Sequence, residues 1–116
     1  MAELAELGGA RARLEEMADS SGARVLKLSG ELDLSNVGSI RAAIEITYGG
    51  PVERLVFDLS DLEFMDSSGL AMFLGFAESI EMVELCNLRP IVRRIIEIAG
   101  LKGVFLLTTS AERDPT

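Results

Sequence analysis

The chain has no histidine, no tryptophan and a single cysteine, Cys86, among 116 residues. Without histidine there is no Ser-His-Asp triad, no Cys-His pair and no imidazole for a metal. A lone cysteine cannot close an internal disulfide, which suits a reducing cytosol. Aromatic residues are only 5% of the chain, so a core must be built from aliphatic side chains. Long apolar runs are missing too: the longest, Ser67 to Ala77, is about half the roughly 20 residues a bilayer-spanning helix needs. The start, Met1-Ala2-Glu3-Leu4, lacks the cationic and apolar regions of a signal peptide. Positive charge is scarce, 11 Lys and Arg against 19 Asp and Glu, for a net charge of −8. Such a surface repels nucleic-acid phosphates. These absences point to a cytoplasmic domain with no membrane span, no direct nucleic-acid partner, no metal and no cofactor.

What is present is enough for one core, with 48% hydrophobic residues in a length that fits a single domain. Residues 24 to 28 read as a strand ending at Ser29-Gly30. Ser35 and Asn36 offer helix N-cap oxygens, and Val37, Ile40 and Ile44 follow at helical spacing. That helix is expected to stop before Gly49-Gly50-Pro51. The continuous run Leu55-Val56-Phe57, inside Arg54 to Leu59, suits a central strand. A turn-rich stretch from Ser60 to Asp66 is expected next, then an apolar helix from near Ser67. Residues 82 to 86 read as a strand. Pro90 opens a helix whose buried face is Val92, Ile95, Ile96 and Ala99, closed by Gly100 in a left-handed cap. Val104 to Thr108 gives a last strand. Residues 1–20 are open between a helix broken at Gly8-Gly9 and a first strand from Ala10 to Met17, with a lid over the second helix as one role. Residues 21–110 form the expected domain and 111–116 a short tail. Alternating strands and helices predict parallel crossovers in a layered α/β fold.

The segment richest in chemistry runs from Asp58 to Leu70. There a buried strand leads to a polar turn, and two hydroxyls stand at the mouth of a helix. A helix N-terminus carries unpaired N–H groups and partial positive charge, so it tolerates an added phosphate. Phosphate on Ser67 beside Asp66 would change how that surface meets a partner. The same residues also suit plain capping, with Gly69 allowing close packing. Two other motifs fail. The hydrolase elbow needs glycines two residues either side of the serine, whereas Ser67 has Met65 and Gly69. A phosphate-cradling loop needs several glycines and a lysine.

Asp66-Ser67-Ser68-Gly69-Leu70 after a strand resembles the signature of the STAS domain, named for sulphate transporters and anti-sigma factor antagonists. Gly30-Glu31-Leu32-Asp33 is similar to that family's turn after its second strand. Pro90 to Leu101 is similar to its third helix and closing Gly-Leu. The resemblance implies a mixed sheet of four or five strands flanked by about four helices. It also implies a binding switch and not an enzyme: an anti-sigma factor antagonist with Ser67 as phosphoacceptor and Asp33, Asp66, Ser68, Gly69 and Leu70 as partner-binding residues. The implied partners are an anti-sigma factor serine kinase and a metal-dependent serine phosphatase; the implied alternative is a non-switching STAS scaffold. Departures from the pattern are a helix after Ser67 that is about one turn short, Arg89 in place of a capping serine, and too short a C-terminus for the usual last helix. Leu70 to Ala77 is apolar all round, so a possible homodimer or the first 20 residues would have to cover it.

Overall fold

A computed structural model describes residues 4–7, 12–18 and 24–109. They form six strands and three helices: β1 (Leu4–Leu7), β2 (Ala12–Ala18), β3 (Arg24–Leu32), α1 (Val37–Tyr48), β4 (Arg54–Met65), α2 (Ser67–Ser79), β5 (Met82–Cys86), α3 (Pro90–Ile98) and β6 (Leu106–Thr108). The strands form one sheet in the order β1-β2-β3-β4-β5-β6. β1, β2 and β3 pair antiparallel, whereas β3 to β6 pair parallel, so the sheet is mixed as expected. The strand alternative for the N-terminal region is the one observed, as β2, preceded in the chain and flanked in the sheet by a further short strand, β1. β2 lies in the sheet beside β3 and is not a lid on α2. The 111–116 tail, and any fourth helix there, fall outside the described residues.

From β3 onward each helix carries the chain to the next strand in the same direction. Right-handed crossovers that never reverse put every helix on one face of a sheet. The packing agrees. Leu26, Phe57 and Leu85 share one register row. They join Ile40 and Ile44 of α1, Met72, Phe73 and Phe76 of α2, and Val92 and Ile96 of α3 in a single buried cluster. Phe57 sits at its centre, its ring edge-on to Phe73 at 5.1 Å between centroids. The opposite face holds a smaller buried set, Val25, Val56 and Cys86. Buried Glu84 lies in the row of Val25 and Val56; it pairs with Arg54 and accepts a hydrogen bond of 2.8 Å from Thr108 Oγ1.

Three local expectations need correction. First, Ser60 to Asp66 is not a turn: β4 continues to Met65. Its pairing with β3 shifts register between Lys27 and Ser29 and again between Gly30 and Glu31. Each bulge inserts one residue and reverses the side-chain alternation, so Leu59, Leu62 and Met65, three apart, all turn into the core. Second, Asn36 occupies the N-cap position of α1 but makes no cap hydrogen bond there. Third, Ala99 is exposed, because α3 has already ended at Ile98. Gly100 is left-handed at φ 75°, and the Leu101 and Gly100 N–H groups bond back to Ile96 and Glu97 carbonyls. That is the double closure of a Schellman motif, as the Gly-Leu pair implied.

The apolar surface of α2 is also smaller than its sequence implied. Met72, Phe73 and Phe76 are buried, Leu70, Leu74 and Ala77 are half-buried, and Ala71 alone among its larger-than-glycine apolar residues is exposed. Arg41 of α1 covers part of this helix, its guanidinium 5.7 Å from the centroid of the Phe76 ring.

Candidate binding rim at the carboxyl end of the sheet

Parallel strands β3 and β4 deliver their carboxyl ends side by side. The Asp66 N–H donates to the Leu32 carbonyl at 3.0 Å, which ties the two loops that follow. After β3 comes the loop Asp33 to Asn36; after β4, Asp66 turns directly into α2. Asp33 and Ser67, distant in sequence, therefore share one rim.

Asp66 is the N-cap of α2. Its backbone is extended, φ −92° and ψ −170°, and its Oδ1 accepts from the N–H groups of Ser68 at 2.8 Å and Gly69 at 3.3 Å. Two donors that a helix start leaves without partners are thus satisfied. Ser67 is the first helical residue and is exposed. Ser68 is half-buried. Gly69 is buried because α2 approaches the sheet closely here: a Cβ on it would stand 2.9 Å from Met65 Cβ and 3.0 Å from Leu32 Cβ. Leu70 is half-buried against the core. The expected site thus divides: Asp33, Asp66 and Ser67 gather at the rim, whereas Gly69 and part of Leu70 set the seating of the helix.

The β3–α1 loop is held from within. Asn36 is fully buried; its Oδ1 accepts from the Asp33 N–H at 3.0 Å and its Nδ2 donates to the Glu31 carbonyl at 2.8 Å. The side chain thus braces the turn that precedes α1. Asp33 Oδ1 accepts from the Ser35 N–H at 2.9 Å and from the Ser35 hydroxyl. Leu34, between them, is 80% exposed, and Phe64, near the end of β4, is 41% exposed. Sequence reasoning singled out neither. The available signal was an apolar residue inside a polar turn.

No group of three or more Cys, Asp or Glu side chains among the described residues could hold a metal ion. No helix among them is long and apolar enough to cross a membrane.

The model of the STAS domain matches residues 16–114. The chain belongs to the STAS domain family. Within it, the anti-sigma F factor antagonist of Lysinibacillus sphaericus is 35% identical over 94 residues, which cover 77% of this chain and 80% of that one. The solved anti-sigma factor antagonist SpoIIAA in its unphosphorylated form is 30% identical, with a TM-score of 0.68 over 86% of this chain and 91% of that one. The Bacillus cell fate determinant SpoIIAA in its phosphorylated form is 29% identical, with a TM-score of 0.60 over 86% and 95%. These relatives are named for antagonising a regulator and not for a reaction, and this STAS domain is a regulatory binding protein of that kind and not an enzyme.

Proposed function

We propose that this STAS domain is a cytoplasmic anti-sigma factor antagonist. Its unphosphorylated form binds an anti-sigma factor serine kinase and so frees a sigma factor; phosphate on Ser67 switches that binding off, and a metal-dependent serine phosphatase restores it. The observation that carries the reading is the position of Ser67, exposed at the first turn of α2 and next to a capping aspartate, in a chain similar to antagonists of this name. The helix start tolerates the added oxygens. A partner fitted to a neutral hydroxyl meets instead roughly −1.5 to −2 of new charge and three bulky acceptors. The change needs no refolding, because Ser67 is already exposed.

Intact mass and site mapping after incubation with such a kinase and ATP test the reading. One phosphate on Ser67 is expected in the wild type and none in Ser67→Ala. Ser67→Ala should keep wild-type affinity for the kinase, and Ser67→Asp should bind more weakly. Equal affinity of the wild type and its phosphorylated form would sink the switch. Binding without phosphorylation would favour a non-switching scaffold using the same rim.

A further inference from the structure

We propose that Leu34 and Phe64 are the apolar anchors of the Ser67 rim, and that they fit a partner surface made of an apolar socket bordered by lysine or arginine. The inference rests on the antagonist reading and names what the kinase must present. Both residues flank one hydrogen bond. Leu34 lies two residues after Leu32, whose carbonyl accepts from Asp66, and Phe64 lies two residues before Asp66. Two residues span at most about 7 Å, so the backbones of both stand close to the point where the strand ends are tied, with Ser67 its next neighbour. Phe64, paired with Glu31, alternates with core-facing Met65 and so borders the rim from the other face of the sheet.

A leucine 80% exposed costs the free protein and is ordinarily tolerated singly. Here it is held rigidly. Buried Asn36 fixes the loop at the Asp33 N–H and the Glu31 carbonyl, and Asp33 fixes Ser35. An apolar side chain presented by a preorganised loop loses little entropy on docking. The surrounding charge selects the partner. Segments 31–36 and 63–68 carry Glu31, Asp33, Glu63 and Asp66 and no lysine or arginine. Acidic residues next to apolar anchors in both segments are complementary to a cationic border on a socket. Phosphate on Ser67 then adds charge beside the anchors and beside existing carboxylates.

Titration calorimetry with the purified serine-kinase anti-sigma factors of the source organism tests this. Leu34→Ala and Phe64→Ala should each weaken binding about tenfold or more, as truncated anchors do. Leu34→Met should restore affinity to within about threefold of the wild type, since it refills the socket. Ile46→Ala is the control: Ile46 is also 80% exposed, but near the far end of α1, and affinity should change less than about twofold. Affinity should also fall as salt rises from about 0.05 M to about 0.5 M. Circular dichroism should be unaltered in all variants, because these side chains are outside the core. Wild-type binding with Leu34→Ala and Phe64→Ala both within about twofold would overturn the anchors and leave the antagonist reading standing. Wild-type protein that binds none of these kinases would overturn the reading and the anchors together.

Discussion

Asp66 has two separable duties, one mechanical and one electrostatic. Its Oδ1 holds the Ser68 and Gly69 N–H groups, and its charge sits beside the Ser67 hydroxyl. Asp66→Ala removes both and should lower stability by about 1 kcal/mol, the usual cost of a lost cap. Asp66→Asn keeps an acceptor oxygen and removes only the charge, so urea unfolding should place it between the alanine variant and the wild type. Partner affinity sorts the duties in the other direction: there the asparagine variant should resemble alanine, because both lack the charge. Asn36 illustrates a different residue-scale fact. Its side chain was expected to cap α1, yet it braces the preceding loop through Asp33 and Glu31. Composition announces that an asparagine will bond near a helix start; which backbone groups it finds depends on the path of the chain.

At the scale of elements, α2 is placed by contact between Gly69 and two strands. Its Cα lies so close to Met65 and Leu32 that a methyl group must displace one of them. Gly69→Ala should therefore cost about 1–3 kcal/mol through overpacking, although alanine is the better helix former. A lowered urea midpoint with unchanged slope would show this. Elements with local punctuation were legible in the sequence: α1 by Ile40 and Ile44 and its glycine stop, α3 by Pro90 and the Gly100-Leu101 closure, β5 by its short apolar run. The second half of β4 was not. Leu59, Leu62 and Met65 recur every three residues, a pattern no regular strand shows, and only the two bulges against β3 reconcile it with a sheet. The extra residues lie in β4, but a bulge exists only relative to the register of the partner strand, so the strand's own sequence does not announce it. For the candidate site, the cap at Asp66 and the place of Ser67 at the helix start were legible because that chemistry is local. The exposure of Leu34 and Phe64 was not, because exposure is a property of the folded rim.

Over the whole molecule, charge governs how stability responds to pH. Lys27 and Asp61 approach at 3.0 Å beside the first bulge. The hydrogen bond from Lys27, then its charge, lowers the Asp61 carboxyl below the ordinary carboxylate range; the same bond with Asp61 raises the Lys27 ammonium above its usual value. Asp61 therefore contributes stability fully above the unfolded carboxylate value, about 3.9, and loses it as pH falls through the lower folded value. Lys27 contributes fully below its unfolded value, about 10.4, and loses it as pH rises through the higher folded one. The pair supports the bulge between those limits. Asp61 is half-exposed, so the effect is small and weakened by salt. Urea midpoints of the wild type and Asp61→Asn should differ slightly at pH 7, and the difference should shrink as pH falls below about 4 and on through the lowered folded value.

The placement of Ser67 has one more consequence. Its hydroxyl stands where it does because a strand end, a helix start and a buried glycine meet, and none of these exists in the unfolded chain. An enzyme that recognises this serine through its rim inspects the finished fold before modifying it. Nascent or damaged copies present the same five letters, Asp-Ser-Ser-Gly-Leu, without the shape. Under the proposed switch such copies would neither accept the phosphate nor occupy the partner, so the signal would count only molecules that have folded.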